Sequence, residues 1–185
     1  MHPVFTIGHS RHSLETFQHL LATHGIEILV DVRASPWSRR YPQFGREALA
    51  SALAAQGVRY RWLGEALGGL RRETTAHKHL ALAEPAFRAY AEHMASPIFI
   101  DAIERLCRGA KRWRIALMCA EAEFAQCHRQ FIADALRLRG VEVLHIETTA
   151  SIQPHALHQA LRITDGVPHY DGLSQPALFD TGHPA

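Results

Sequence analysis

The alternation of short β-branched runs with segments of helical periodicity constrains the fold of this chain most. Apolar runs predict five strands, over residues 4–7, 28–32, 58–63, 114–118 and 142–146. Helical patterns lie between them, beginning at Ser13 and covering 46–56, 84–95, 97–107 and 124–139. Such alternation implies the α/β class, as a three-layer, mainly parallel sheet of about five strands with helices on both faces.

The chain is expected to fold as one domain with an extension. Its 185 residues, 47% hydrophobic and 21% charged, suit a single compact core. The strand and helix patterns end near residue 147, so we expect a single α/β domain over 1–147 and a C-terminal extension over 148–185 with a flexible tail.

Composition also bounds the location of the protein. No stretch approaches the roughly 20 apolar residues of a membrane span, and the start MHPVFTIGHS lacks the pattern of a secretory signal. Three cysteines, an odd number, favour reduced thiols over a disulfide framework. A cytoplasmic protein with no membrane partner is therefore expected.

Basic residues are concentrated in one segment of the sequence. Between Arg33 and Lys78 there are nine basic residues and three acidic ones, whereas the whole chain has a net charge of only +2. Clustered arginines attract and bind phosphate oxygens, so nucleic acid is an expected partner. The alternative is a solvated basic face that binds no ligand.

Polar and reactive residues follow four of the predicted strands. They are Gly8, His9 and Ser10, then Asp31 and Arg33, then Gly64, Gly68 and Gly69, and finally Cys119, Glu121 and Glu123. Ligands bind outside the carboxyl ends of parallel strands, so these segments predict a site at one edge of the sheet. Each segment alone is also compatible with ordinary helix capping.

Two carboxylates are the candidates for acid–base chemistry. A buried Asp31 beside Arg33 stays ionised, which suits an electrostatic stabiliser or base, although a local ion pair that fixes the turn explains it equally. Glu121, near the low-dielectric end of a strand and beside Glu123, is expected to hold a proton more readily and to act as acid or base.

The stretch LMCAEAEFAQCHR supplies further candidates. Cys119 at the strand end is a candidate nucleophile, but the two glutamates after it disfavour a thiolate, and an inert packed thiol is the alternative. Cys127 is expected to pack on the helix, with either His128 or Arg129 facing the sheet edge. The Cys119 to Cys127 spacing of eight does not match short zinc-binding pairs, so no metal and no cofactor are expected.

The segment PWSRRYPQF is the candidate nucleic-acid surface. Trp37 is suited to stack on a base, while Arg39 and Arg40 contact the backbone. Arg33 and Arg129 are expected to orient phosphate.

The motifs TIGHS, LVDVR, a Tyr before LGG, and MCAE followed by CHR together resemble the bacterial family catalogued as domain of unknown function 488, over about residues 4–147. The resemblance implies an α/β fold and no settled activity. The positions that match its motifs are His9, Ser10, Asp31, Arg33, Ser38, Tyr60, Gly68, Gly69, Cys119, Glu121, Cys127, His128 and Arg129. The chain is also similar, more distantly, to rhodanese-like sulfurtransferases, but the loop AEAEF after Cys119 lacks that family's anion-binding character.

The tail contains a separate motif. Gln175, Leu178 and Phe179 resemble the QxxLF peptide by which bacterial proteins dock on the DNA sliding clamp, a mode that places two apolar side chains in a pocket. Alternatively, Leu178 and Phe179 fold back on the domain.

Three functions therefore stand beside one another. The first is an enzyme acting on nucleic acid or a nucleobase-containing substrate by acid–base chemistry, of hydrolase or glycosylase type, as in DNA repair. The second is a rhodanese-like, cysteine-dependent transferase that uses Cys119. The third is a non-catalytic module recruited to the sliding clamp.

Overall fold

A six-stranded, mostly parallel sheet forms the centre of the molecule. The computed structural model describes residues 1–72, 78–148, 151–164 and 167–172. The sheet order is β3-β2-β4-β1-β5-β6, with bounds β1 Val4–Gly8, β2 Ile28–Asp31, β3 Arg59–Trp62, β4 Ile115–Cys119, β5 Val143–Ile146 and β6 Ile152–Pro154. The first five strands are parallel and β6 pairs antiparallel with β5. The predicted α/β class and mainly parallel sheet are confirmed.

Helices pack on both faces of this sheet and give three layers. Their bounds are α1 Leu14–Thr23, α2 Arg46–Ala54, α3 Gly64–Leu67, α4 Pro85–His93, α5 Pro97–Ala110 and α6 Arg129–Arg137. One apolar core joins the sheet to α4, α5 and α6, and a second joins it to α1 and α2. Helix α1 begins where the Ser13 hydroxyl accepts a hydrogen bond from the Thr16 amide, and Ser96 with Pro97 begins α5 in the same way.

The helix predicted over 124–139 begins five residues later in the structure, at Arg129. Residues Phe124–Gln126 form a short 3-10 turn, Cys127 is extended with φ −135° and ψ 148°, and α6 starts only at Arg129. The prediction was wrong because Phe124 does not belong to the apolar stripe of the helix. Its ring stacks on His145 instead, with centroids 3.5 Å apart.

Part of the described C-terminal extension packs on the domain, through a few buried residues. Strands β7 (Leu161–Thr164) and β8 (Val167–Tyr170) form an antiparallel pair. Tyr170 is fully buried and donates a 2.9 Å hydrogen bond to Asp134 on α6. The predicted clamp-binding residues Gln175, Leu178 and Phe179 lie outside the described residues.

A buried chain of polar groups continues from that tyrosine into the sheet. The other Asp134 oxygen accepts from His155, whose second ring nitrogen accepts from His145 at 2.9 Å. His145 in turn accepts from the Thr6 hydroxyl on β1 at 2.7 Å. The extension and the central sheet are therefore joined by hydrogen bonds inside the protein as well as by apolar contact.

Among the described helices, none has the length and apolar character needed to cross a membrane.

Candidate active site

The carboxyl ends of β1, β2 and β4 meet at one edge of the sheet. Gly8 pairs with Cys119, and Asp31 pairs with Met118, because β4 lies between the other two strands. A cleft of about 310 Å³ opens beside this edge. Its lining consists of Arg33, Ala34, Ser35, Gly69, Leu70, Ala86, Phe87, Cys119, Ala120, Glu121, Gln126, Cys127 and His128.

Asp31 holds Arg33 at the base of this edge. One carboxylate oxygen accepts from the backbone amide and Nε of Arg33, at 3.0 and 2.9 Å, and the other accepts from Arg33 Nη2 and from the Tyr60 hydroxyl, both at 2.6 Å. These four bonds occupy the four acceptor sites of a carboxylate. We therefore infer that Asp31 positions Arg33 and is not a base that reaches substrate.

The electrostatics of this cluster follow from burial and from the same bonds. Burial disfavours the Arg33 charge, but the Asp31 bonds outweigh it and raise the pKa of the guanidinium. Burial, followed by the hydrogen bond to Asp31, raises the pKa of Tyr60, so its hydroxyl stays a donor.

His9 lies next to Arg33 and is held in one orientation. Its ring stacks on Phe44 with centroids 4.3 Å apart, Nδ1 donates to the Ser10 carbonyl at 3.2 Å, and Nε2 accepts from Arg33 at 3.2 Å. Burial, with the Arg33 charge second, lowers the pKa of His9 to about 4. The ring is neutral at pH 7, and its hydrogen bond helps to hold the Arg33 side chain in place.

Two thiols and an imidazole form the opposite wall of the cleft. Cys119 Sγ, Cys127 Sγ and His128 Nδ1 all lie within 4.8 Å of one another, and all three residues are buried. His128 Nε2 donates to the Val32 carbonyl at 3.0 Å, which leaves Nδ1 facing the sulfurs. His128 and Arg129 were not both expected to face the same way as Cys127, but both contact its sulfur, Arg129 through Nε at 3.4 Å.

The surroundings of the two thiols shift their pKa values in opposite directions. Burial disfavours a Cys127 thiolate, but the neighbouring Cys119 thiol, His128 and Arg129 outweigh it and lower the pKa of Cys127 well below its usual value. The neighbouring Cys127, followed by burial, raises the pKa of Cys119 far above its usual range. Cys127 is thus the thiol that ionises first.

Glu121 lies at the mouth of the cleft. Its side chain is exposed, so the low-dielectric surroundings expected for it are not found. The Cys119 thiol donates to Glu121 Oε2 at 2.8 Å. Arg129 is 1% exposed and donates to the Glu121 and Ala122 carbonyls, at 2.6 and 3.2 Å. Arg129 therefore fixes the loop that presents Glu121.

Two glycines allow the loops to approach this closely. A Cβ on Gly8 would overlap the Glu121 carbonyl, and a Cβ on Gly69 would press on the His128 ring. Glycine at both positions lets the loop after β4 lie over the end of β1 and lets residue 69 pack on the imidazole.

The predicted site residues fall into three groups. Arg33, Gly69, Cys119, Glu121 and His128 line the cleft, whereas Asp31, Tyr60, His9 and Arg129 hold those residues in place. Gly68 packs on Gly64 and Ala34, Ser10 bonds through its amide to the Ala120 carbonyl, and Trp37, Arg39 and Arg40 are exposed on the loop after β2. Sequence reasoning missed Cys127 as a member of the site and the apolar wall formed by Phe87 and Leu70.

The molecule is an α/β protein in which an arginine, a carboxylate and a thiol–imidazole cluster lie at the carboxyl ends of the parallel strands. In open sheets of this class, that is the edge at which ligands bind. Within that class, the chain belongs to the family described as Domain of unknown function DUF488, whose family model matches residues 13–136, more than half of the sequence. No curated protein and no solved structure matches the chain.

Proposed function

We propose that the protein is an enzyme that acts on nucleic acid or a nucleobase-containing substrate by acid–base chemistry in this cleft. The observation that carries the proposal is the exposed Glu121 carboxylate at the mouth of a cleft whose wall contains the fixed Arg33 guanidinium. A carboxylate and a cation at the two sides of one cleft suit proton transfer beside an anionic group.

The loop after β2 extends this cleft with an aromatic and basic surface. Ser35 lines the cleft, and Trp37, two residues further, is 66% exposed. The Arg39 guanidinium lies over the Trp37 ring, 5.6 Å from its centroid, and Arg40 lies over Tyr41 at 5.5 Å. Exposed aromatic rings with neighbouring arginines bind single-stranded bases by stacking and the backbone by charge.

Each polar group has a distinct part in the proposed reaction. Glu121 transfers a proton to or from the reacting group, and Arg33 stabilises the negative charge of phosphate or of the leaving group. Asp31 keeps Arg33 in place. The reaction class is hydrolysis, and removal of a base is its most concrete form.

Nucleic-acid binding is tested with a triple variant, Trp37→Ala/Arg39→Ala/Arg40→Ala. Fluorescence anisotropy with labelled single-stranded oligonucleotides is expected to show salt-dependent binding by the parent and at least about a 10-fold weaker affinity for the variant, since each stacked base contributes about 1–3 kcal/mol. Arg59→Ala/Arg112→Ala/Trp113→Ala is the matched control, with the same composition change at the amino ends of β3 and β4.

Catalysis is tested separately with Glu121→Gln, which keeps the shape of the side chain. The variant is expected to bind oligonucleotide like the parent and to lose at least about 100-fold in product formation, followed by gel and mass spectrometry on damaged and undamaged strands. Absence of salt-dependent binding by the parent, or equal loss in both triple variants, would refute the proposal.

A cysteine-dependent transferase is the second candidate. The pair of thiols in the cleft wall favours it, but with Cys127 as the nucleophile in place of the expected Cys119. The lowered pKa makes Cys127, rather than Cys119, the more reactive thiol. Iodoacetamide labelling read by peptide mass spectrometry tests this, because a thiol transferase requires one thiol to react before Cys107 does. Simultaneous labelling of the cysteines would count against it.

Recruitment to the DNA sliding clamp rests on the tail sequence alone. Loss of clamp capture in Leu178→Ala/Phe179→Ala is expected if the motif is used, and retained capture would reject it.

A further inference from the structure

Three ligand atoms of the kinds that bind zinc converge at the wall of the cleft. His128 Nδ1 is 3.7 Å from Cys127 Sγ and 4.0 Å from Cys119 Sγ, and all three atoms lie within 4.8 Å of one another. A tetrahedral zinc ion at about 2.3 Å from sulfur and about 2.0 Å from nitrogen holds its ligands roughly 3.5–3.8 Å apart. The cluster therefore needs only small side-chain adjustments to surround such an ion.

The imidazole is already oriented as a metal ligand. His128 Nε2 donates to the Val32 carbonyl at 3.0 Å, so the lone pair is on Nδ1, which faces both sulfurs. Metal-binding histidines in proteins are commonly fixed in this way, by a backbone carbonyl on the ring nitrogen that does not bind the ion. This hydrogen bond is independent of the distances within the cluster.

The surroundings of the thiols also fit a bound cation. Arg129 Nε contacts Cys127 Sγ at 3.4 Å, the kind of outer contact that holds a thiolate ligand in place. Glu121 Oε2 lies 2.8 Å from Cys119 Sγ on the solvent side, where a fourth ligand or a metal-bound water would stand. Three protein ligands beside an open position are the arrangement of catalytic zinc sites, whereas structural sites have four.

We propose that Cys119, Cys127 and His128 bind one zinc-like divalent metal ion, with the fourth position open to the cleft beside Glu121. Two sulfurs and one imidazole select zinc over magnesium or calcium, which prefer oxygen ligands. The eight-residue spacing of the cysteines does not oppose this site, because β4 and the extended Cys127 bring them together through tertiary structure. The site goes beyond the proposed function and stands whatever substrate enters the cleft.

Metal binding is measured on the full chain after chelation under reducing conditions. Titration with Zn²⁺ against a chromophoric chelator is expected to show one equivalent bound, and Co²⁺ is expected to give thiolate charge-transfer bands and the visible bands of a tetrahedral site. Cys119→Ser, Cys127→Ser and His128→Gln are each expected to lower the affinity at least about 100-fold. Cys107→Ser, the third cysteine on α5, is the control and keeps full binding.

Thiol protection supplies a measurement that needs no variant. Zn²⁺ is expected to protect two of the three cysteines of the parent from alkylation, and chelator is expected to expose them again. Alkylation that is the same with and without Zn²⁺, lack of a stoichiometric Zn²⁺ complex, or a disulfide between Cys119 and Cys127 in the freshly purified protein would overturn the proposal.

The metal site and the proposed function fail separately. Oligonucleotide binding is measured on both the metal-stripped and the Zn²⁺-loaded protein. If the protein binds one equivalent of Zn²⁺ but no oligonucleotide, the metal site is supported and the proposed function is rejected. If the protein binds oligonucleotide but no Zn²⁺, the metal site is rejected and the proposed function is not.

Discussion

Asp31 is a buried carboxylate that accepts hydrogen bonds from two segments of the chain. Arg33, from its own chain segment, supplies three of the four hydrogen bonds, and Tyr60, from β3, supplies the fourth. The tyrosine bond is charge-assisted and enclosed, so it belongs to the stronger class of hydrogen bonds. The orientation of the arginine in the cleft thus depends on a residue that does not line it.

Tyr60→Phe is expected to destabilise the protein by about 1.5–3 kcal/mol, because the change leaves an acceptor site of Asp31 unfilled inside the protein. Urea denaturation followed by circular dichroism measures the loss. Tyr41→Phe, at a half-buried ring on the loop after β2, is the control and is expected to cost less than about 0.5 kcal/mol, because the ring contacts are kept. Equal stabilities of the two variants would show that the hydroxyl of Tyr60 contributes nothing special.

At this scale the sequence predicted local pairs better than distant ones. Asp31 and Arg33 share a face because strand residues two apart point the same way, and the ion pair at 2.6 Å follows from that rule. The contacts of Tyr60 and His9 with this pair depend on which strands are neighbours, and no spacing along the chain encodes that order.

The turn between β4 and α6 is the element that decides the chemistry of the site. It passes through an exposed loop, a 3-10 turn and one extended residue before the helix begins at Arg129. On a helix, the side chains of Cys127, His128 and Arg129 would point in different directions. Cys127 and His128 precede α6, however, so helical spacing does not set their directions. The strand end and the helix body were predictable from apolar periodicity, whereas the turn has no period to detect.

Gly8→Ala is expected to destabilise the protein by about 2–3 kcal/mol, because the new methyl group overlaps the backbone carbonyl of Glu121 and must push the turn away from β1. Thermal and urea denaturation measure the effect. Displacement of the turn is also expected to weaken the contact of Glu121 with Cys119.

Gly109→Ala is the matched control for that change. There the new methyl group would lie 2.9 Å from Ile115 Cδ1, the end of a flexible side chain, and alanine favours the helix by up to about 1 kcal/mol. Its stability is expected to stay within about 1 kcal/mol of the parent. A Gly8→Ala protein as stable as Gly109→Ala would mean that the turn does not need to approach β1 so closely.

The whole molecule should lose stability as the pH falls, through histidines that are buried in the neutral form. Burial, with His155 and Arg129 next, lowers the pKa of His145 to about 3, and that of His9 is about 4. In the unfolded chain an ordinary histidine has a pKa of about 6.5. The unfolded state therefore binds more protons below about pH 6.5, and the free energy of unfolding decreases as pH falls from there towards 4.

Urea denaturation at pH 7, 6, 5 and 4 measures this dependence. His145→Gln is expected to reduce the slope by up to about 1.4 kcal/mol per pH unit, the value for one proton. His2→Gln, at the exposed N-terminus, is expected to leave the slope unchanged. If the His145→Gln variant has the same slope as the parent, His145 does not contribute to the pH dependence of the free energy of unfolding.

The strand order has a consequence for how the protein is made. Strands β1 and β2 leave the ribosome first, yet each pairs with β4, which lies between them and is synthesised about 80 residues after β2. A nascent chain that ends within α5 contains β1, β2 and β3, of which β2 and β3 can pair, but β1 has neither of its neighbours, β4 and β5, so the sheet stays incomplete until those segments are made. The cleft, whose last wall is residues 119–128, is assembled only near the end of synthesis.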